Sequence, residues 1–196
     1  MIELPKDHSD PLVVGVGRHR VCYIHPKDPR KCIKVIYNSG SHAFQEIKRE
    51  VSYYRHLEKY LKDWSGLPRF YGEVDTNIGI GYVYDRIIDF DGRPSETMDQ
   101  RYRDIHTKAS FIEEKQLVDN LEKYLLDNHV VTMTLKPYNI LCHRISRNKL
   151  FPVICDNIGV AAFVPLAYVC PWYARITIRH SVVRFRKDYL KSNKDY

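Results

Sequence analysis

A chain of 196 residues with a net charge of +7 is long enough for one domain, or for one domain of two lobes. Its composition, 44% hydrophobic and 28% charged, excludes a disordered protein, and no apolar run reaches the roughly 18 to 20 residues of a membrane helix. The five cysteines include no C-x-x-C pair and the N-terminus has no signal-peptide pattern, so we expect free, buried thiols in a cytoplasmic protein.

The first half of the chain has the pattern of a sheet with one inserted helix. Runs rich in β-branched and aromatic residues predict five strands: Leu12–Val14, Arg20–His25, Lys31–Tyr37, Arg69–Val74 and Tyr82–Ile88. A helix is predicted between the third and fourth strands, from Ser39 or Ser41 to about Asp63, because apolar residues recur there at spacings of three and four.

The second half is predicted to be mainly helical. Phe111–Asn128 has the periodicity of a helix with Leu117, Leu121, Tyr124 and Leu125 inward. Two short apolar runs, Val130–Met133 and Phe151–Cys155, are expected to form a small strand pair around the loop 134–141. This order predicts two lobes, residues 1–89 and 90–196, with a connector near 85–94. A cleft between such lobes is the usual place for a ligand.

Two segments of the first half suit a phosphate ligand. Gly15 and Gly17 lie between strands, where glycine lets a backbone approach a phosphate closely. An ordinary hairpin turn is the alternative. Lys34 lies within an apolar strand and needs a carboxylate partner if it is buried. Glu46 and Glu50, one turn apart on the next helix, are candidates, and a lysine at a sheet edge is the alternative.

Two segments of the second half suit a metal and its phosphate. In the segment TLKPYNIL, which begins at Thr134, Lys136 and Asn139 are three residues apart in a polar loop between apolar runs. This spacing can bring an ammonium group and an amide oxygen to one site. Asp156 directly follows an apolar run and is a candidate Mg²⁺ ligand. A turn-initiating aspartate is the alternative.

The chain order of these features, which is the glycine turn, the strand lysine, the helix glutamate, the TLKPYNIL segment and Asp156, resembles the protein-kinase-like fold. More closely, GRHRVCYIHP, LKDWSG, GYVYD, DFDG, TLKPYNILCHRIS and VICDNIG resemble the small bacterial YrbL family of PhoP regulatory network proteins, over most of residues 13–165. The resemblance implies an α+β fold of two lobes. The N-terminal lobe would hold a five-stranded antiparallel sheet with one helix, and the reduced C-terminal lobe would be mainly helical.

The resemblance also implies roles in the first lobe at a site for ATP. Gly15 and Gly17 would cover the phosphates. Lys34 would contact the α- and β-phosphates, with Glu50 as its anchor and Glu46 as the second choice.

Further roles follow for the segments beyond the sheet. Residues 85–88, beginning with Asp85, would form the hinge that holds adenine. Lys136 would lie near the transferring phosphate, and Asn139 and Asp156 would hold Mg²⁺.

Three departures from the kinase pattern bear on activity. The catalytic aspartate of kinases, five residues before the asparagine, is replaced by Thr134, whose hydroxyl is a poor base; a positioned base contributes about 10²- to 10⁴-fold. The D-F-G motif reads D-N-I-G from Asp156, one residue longer. Only 40 residues follow Asp156, without an A-P-E segment.

The sequence therefore leaves several functions open. One is a weak or atypical phosphotransferase whose acceptor, a protein or a small molecule, is unknown. Another is a pseudokinase that acts as a nucleotide-dependent regulatory binding module. The third uses the basic C-terminal segment, because residues 173–196 carry seven basic and two acidic residues. That segment is either the solvated face of a terminal helix or a surface for anionic lipid, nucleic acid or a partner. No nucleic-acid-binding signature accompanies it, so no specific nucleic acid is predicted.

Overall fold

The computed structural model describes residues 1–38, 41–103, 108–160 and 166–191. The chain is α+β, and it divides into two compact units, one of residues 1–54 and 68–87 and the other of residues 55–67 and 88–196. The strands are β1 (Val13–Val16), β2 (Arg20–Ile24), β3 (Lys31–Ile36), β4 (Phe70–Thr76), β5 (Gly79–Asp85), β6 (Ile140–Ser146) and β7 (Lys149–Ile154). The helices are α1 (Ser41–Leu57), α2 (Met98–Arg103), α3 (Lys108–Asn128), α4 (Leu166–Val169) and α5 (Pro171–Lys191).

The first unit is built on the predicted five-stranded antiparallel sheet, in the order β1-β2-β3-β5-β4, and α1 follows the third strand. Lys34 of β3 pairs with Cys22 of β2 on one side and with Tyr82 of β5 on the other. Because side chains alternate along a strand, Lys34 and Ile33 lie on opposite faces of the sheet. The sheet therefore has one apolar face and one polar face.

The apolar face is covered by the N-terminal segment, which the sequence patterns do not reveal. Ile2 donates its N–H to Asp75 O at 2.8 Å. Leu4 and Asn77 bond reciprocally, with Leu4 N–H to Asn77 Oδ1 at 2.8 Å and Asn77 Nδ2 to Leu4 O at 3.0 Å. The core beneath this segment consists of Leu4, Val21, Tyr23, Ile33, Val35 and Val83. The opposite face is left for α1 and for polar side chains.

The end predicted for the helix of the first unit is wrong. Beyond Leu57 the amides of Lys59 and Tyr60 bond to carbonyls three residues back, at 3.2 and 3.1 Å, which makes a turn instead of further α-helix. Leu61 is nevertheless buried. The apolar spacing thus identified the buried side but not the helix end. Ser39, one of the two predicted starts, lies outside the described residues.

The glycine turn predicted after the first strand begins later than expected. Gly15 lies within β1 and pairs with Cys22, and the turn starts at Gly17, whose N–H donates to Arg20 O at 2.8 Å. Neither glycine has a positive φ. The other strands of the sheet are confirmed, although β5 is Gly79–Asp85, which begins and ends before the predicted run.

The small strand pair of the second unit is confirmed for one strand only. Residues 151–154 of the predicted run 151–155 lie in β7, but its partner is β6, in a hairpin that pairs Ile140 with Ile154 and Ser146 with Lys149. A two-residue turn closes this hairpin, so the pairing costs little loop entropy. The run 130–133 forms no strand; Met133 N–H instead donates to Asn157 O at 2.8 Å.

Helices make up most of the rest of the second unit. α3 begins at Lys108, earlier than predicted, ends at Asn128 as predicted, and buries Leu117, Leu121, Tyr124 and Leu125. The basic C-terminal segment is helical as α5, and its last residues, 192–196, lie outside the described part. In the described chain no helix has the length and apolarity to cross a bilayer. The five cysteines all lie within the described residues, and the structure joins none of them in a disulfide.

The close packing of β5 against β3 predicts the effect of a small substitution. A Cβ atom added at Gly81 would lie 2.5 Å from Ile33 Cγ2, whereas one added at Gly15 would meet nothing within 4 Å. We expect Gly81→Ala to lower the free energy of unfolding by about 1–3 kcal/mol, because overpacking displaces Ile33. Gly15→Ala, the matched control, should stay within about 0.5 kcal/mol of the wild type. Urea denaturation measures both, and equal losses would contradict this packing.

Candidate functional site

A buried carboxylate organises the polar face of the sheet. Glu50 of α1 is 1% exposed, and its Oε2 atom accepts hydrogen bonds from Arg20 Nη1 and Nη2 at 3.1 and 3.2 Å. Its Oε1 atom accepts the hydroxyl of Tyr84 at 2.8 Å. The Lys34 ammonium lies 4.7 Å from the centre of the Tyr84 ring. We call these four residues the polar cluster.

The electrostatics of the polar cluster keep Glu50 ionised. Burial by itself raises the pKa of this carboxyl group, because a low-dielectric environment disfavours charge. The charges of Arg20 and Lys34, with the hydrogen bonds from Tyr84 and Arg20, outweigh burial, so the pKa lies below its usual value. Burial and the neighbouring Glu50 charge raise the pKa of Tyr84, which therefore stays a neutral donor.

The register of the sheet brings these side chains together. Arg20 lies in β2, Lys34 in β3 and Tyr84 in β5, on three neighbouring strands. The structure places Glu50, and not the exposed Glu46, in the buried cluster with Lys34. Arg20 was missed by sequence reasoning. The alternation of side chains along β2 could have found it. Arg20 and Cys22 are two residues apart and so share one face of the sheet, and Lys34, which pairs with Cys22, lies on that same face.

The remaining predicted site residues of the first unit are Gly15, Gly17 and Asp85, and they lie outside the polar cluster. Gly15 and Gly17 are exposed at the β1–β2 hairpin. The carboxylate of Asp85 holds the ends of β4 and β5 together, since it accepts the Arg69 N–H and the Tyr71 hydroxyl, both at 2.8 Å. Roles for these three residues toward a nucleotide stay predictions.

In the second unit the β6–β7 hairpin brings Asn139 and Asp156 to one end. The Cys155 N–H donates to Asn139 O at 2.9 Å, which places the 3₁₀ turn Pro137–Asn139 beside the residue that precedes Asp156. Asn139 is buried. Asp156 Oδ1 accepts the N–H of Asn157 at 2.8 Å, which orients this carboxylate.

These two side chains have the chemistry of a magnesium site. A carboxylate and an amide oxygen are hard ligands, and Mg²⁺ usually takes only one or two protein carboxylates, with water and phosphate oxygens completing its octahedron. No group of three or more His, Cys, Asp or Glu that could hold a metal lies within residues 1–38, 41–103, 108–160 and 166–191. The pair Asn139 and Asp156 therefore fits Mg²⁺ bound together with a phosphate, and does not fit an all-protein metal cage.

The loop before Asn139 lines a cavity of about 300 Å³. Thr134 and Lys136 are exposed in this loop, and Thr134 Oγ1 accepts a hydrogen bond from Asn157 Nδ2 at 3.3 Å. Two carboxylates, Asp99 and Asp188, line the same cavity. The other lining residues are Met133, Leu135, Pro137, Ser181, Arg184, Phe185 and Tyr189. The contribution of α5 to this cavity was not predicted, because a pairing between a loop and a distant helix leaves no local pattern.

Comparison with known proteins identifies the family. Residues 6–190 match the family described as PhoP regulatory network protein YrbL, and the chain belongs to that family. It is similar to the YrbL proteins of Escherichia coli and Shigella flexneri. Each is 49% identical over 164 residues, which cover 84% of this chain and 78% of the relative. The family predicted from the sequence motifs is thus confirmed.

The polar cluster predicts that two glutamates one turn apart differ sharply. Glu50→Gln removes the negative charge of the cluster and leaves the buried Lys34 and the half-buried Arg20 without it, so we expect the free energy of unfolding to fall by about 3–5 kcal/mol. Glu46→Gln changes an exposed residue of the same helix and should cost less than about 0.5 kcal/mol. Urea denaturation of the two variants measures the difference. A small effect of Glu50→Gln would show that the cluster does not stabilise the fold.

Proposed function

We propose that this member of the YrbL family binds ATP with Mg²⁺ and is a kinase-like phosphotransferase of weak or atypical activity. Its acceptor would be a protein or a small molecule that remains to be identified. The observation that carries the proposal is the polar cluster, in which a buried glutamate holds a strand lysine and a second cation on one face of a five-stranded sheet.

The polar cluster offers the donors that phosphate binding uses. The Arg20 guanidinium and the Lys34 ammonium lie on one face of the sheet, beside the ionised Glu50 carboxylate. Phosphate oxygens accept charge-assisted hydrogen bonds from ammonium and guanidinium groups. Two hydrogen bonds to Glu50 fix the orientation of the Arg20 guanidinium.

The hairpin end of the second unit has side chains that suit a metal ion. Asn139 and Asp156 would hold Mg²⁺, which reduces the repulsion between phosphate oxygens and stabilises the charge that develops during transfer. The hydrogen bond from the Asn157 N–H to Asp156 Oδ1 keeps the carboxylate in place before the metal binds. Lys136, exposed in the neighbouring loop, would neutralise charge on the transferring phosphate.

The missing catalytic aspartate need not abolish transfer. Phosphoryl transfer depends mainly on positioning and charge stabilisation, and a base adds a smaller factor. Asp99 and Asp188 line the cavity that contains Thr134 and Lys136, so a carboxylate from another element lies in the same cavity as the threonine. Asp188, on α5, would accept the proton of the acceptor's hydroxyl group as that oxygen attacks the γ-phosphorus of ATP, while the bond from this phosphorus to the bridging oxygen breaks and ADP leaves.

Ligand-dependent stability tests nucleotide binding directly. A ligand that binds only the folded state raises its stability by RT ln(1 + [L]/Kd), about 2.7 kcal/mol at 100 times Kd. We expect ATP with Mg²⁺ to raise the Tm of the wild type, and this shift to disappear in Lys34→Ala and in Asp156→Asn. Thermal unfolding by circular dichroism measures the shift, with each variant compared with its own ligand-free state.

Matched control variants keep this test specific. Lys48→Ala removes an exposed lysine of α1, and Asp127→Asn removes an exposed carboxylate of α3. Both should retain the full ATP-dependent shift. Absence of a shift in the wild type at millimolar ATP and Mg²⁺ would overturn the proposal.

A pseudokinase is the second candidate, and the environment of Thr134 favours it. Its hydroxyl oxygen accepts a hydrogen bond from the Asn157 side chain at 3.3 Å, so this position holds a loop contact instead of a base. In this case the protein would bind the nucleotide and regulate a partner without transferring phosphate.

Turnover separates the two candidates. A phosphotransferase should release ADP or label itself from radioactive ATP, and Asp156→Asn should reduce the rate by about 10²- to 10³-fold through the loss of charge stabilisation. Asp188→Asn should reduce it by about 10²-fold if this carboxylate is the base, whereas Asp127→Asn should not. A wild type that shows the ATP-dependent shift but no turnover would be a pseudokinase.

A further inference from the structure

The C-terminal helix α5 has two apolar faces, and within residues 1–38, 41–103, 108–160 and 166–191 only one of them is buried. The inner face is buried and consists of Ala174, Ile178, Val182, Phe185 and Tyr189. Polar contacts hold this face in place: Arg186 Nη2 lies 2.7 Å from both Asp119 Oδ1 and Glu122 Oε2, and the Tyr189 hydroxyl donates to Glu114 Oε2 at 2.7 Å. The orientation of α5 about its own axis is therefore set by α3.

The outer face of α5 is apolar and exposed. Trp172, Ile176 and Val183 are 65%, 51% and 65% exposed. Their spacings of four and seven residues place them on one side of the helix. Val169 of α4, 77% exposed, precedes Trp172 by three residues. We call Trp172, Ile176 and Val183 the apolar stripe. α4 ends at Val169 and α5 begins at Pro171, so Val169 lies just before the stripe in the chain.

Cations border this apolar stripe on both sides. Arg175 and Arg179 are exposed along one border, and Arg184 is exposed along the other. Lys187 is exposed one turn beyond Val183. Asp188 is the single acid among residues 171–191, and its Oδ2 lies 3.8 Å from Arg184 Nε. The outer face thus combines apolar side chains, an indole ring and a surplus of positive charge.

We propose that the outer face of α5 binds the surface of an anionic lipid bilayer, with the helix axis parallel to the membrane plane. Trp172, Ile176 and Val183 would insert at the boundary between headgroups and acyl chains, where indole rings are favoured. The bordering arginines and Lys187 would contact anionic headgroups, which act as a continuous negative surface on both sides of the stripe. The apolar stripe does not line the cavity that contains Thr134 and Lys136, and this proposal does not depend on nucleotide binding.

The apolar stripe is what favours lipid over nucleic acid. A nucleic acid presents phosphates to the cations, but it would leave Ile176 and Val183 without an apolar partner, and one tryptophan offers a single stacking platform. A bilayer satisfies both the charges and the apolar side chains. The apolar centre of this face would meet the acyl chains, and its basic borders would meet the headgroups.

Vesicle binding of the full chain tests the proposal. The chain has two tryptophans, and Trp64→Phe leaves Trp172 as the reporter. We expect this protein to sediment with vesicles that contain phosphatidylglycerol and not with vesicles of phosphatidylcholine alone. The Trp172 emission should shift to the blue on binding as the indole leaves water. Binding should weaken as salt rises.

Paired variants separate the apolar and the electrostatic contributions. Arg175→Gln with Arg179→Gln should weaken binding about 30-fold, the contribution of two cations near an anionic surface. Ile176→Ser with Val183→Ser should abolish the blue shift. Arg147→Gln with Lys149→Gln, which removes two exposed cations at the β6–β7 turn, should change nothing. Circular dichroism checks that every variant is folded.

Several outcomes would overturn the proposal. One is the absence of sedimentation with any vesicle, and another is equal sedimentation with both compositions. An equal loss in the control at the β6–β7 turn would show that only net charge matters. Tighter binding to a DNA or RNA oligonucleotide, unaffected by Ile176→Ser with Val183→Ser, would assign the surface to nucleic acid instead.

Discussion

The ionised, buried Glu50 is the constraint on which the first unit depends. A carboxylate in this position costs free energy unless cations and hydrogen-bond donors surround it, and Arg20, Lys34 and Tyr84 supply them from three strands. α1 must therefore lie on the polar face of the sheet, with Glu50 turned inward. The apolar face then needs another cover, and the N-terminal segment at Ile2 and Leu4 provides it. One charged contact thus determines what covers each face.

The second unit depends on a local hairpin and on distant polar contacts. The β6–β7 hairpin sets Asn139 against Cys155 and so brings the two proposed metal ligands to one end. The contacts of Arg186 and Tyr189 with α3 fix the rotation of α5. That rotation gives α5 three distinct sides: a buried side, a side that lines the cavity with the loop 133–137, and the outer basic and apolar side.

The two proposals assign chemistry to different parts of the chain. The polar cluster and the hairpin end offer cations and hard oxygen ligands, which suit a nucleotide with its metal. The outer face of α5 offers an apolar stripe with a basic border, which suits a bilayer surface. α5 links the two, because its cavity side carries Asp188 near the loop of Thr134 while its outer side carries Trp172.

The sequence by itself determined the family, the five strands and the C-terminal end of α3, because periodicity and motifs are local. Only the tertiary structure decided that Glu50 and not Glu46 is buried, that Arg20 joins it, and that β7 pairs with β6 instead of the run 130–133. The exposed stripe on α5 was likewise hidden, since an apolar residue in a sequence does not reveal whether another segment covers it. These features depend on which distant segments come into contact. The free energy of burying or pairing a residue is set by those contacts, which no local sequence pattern contains.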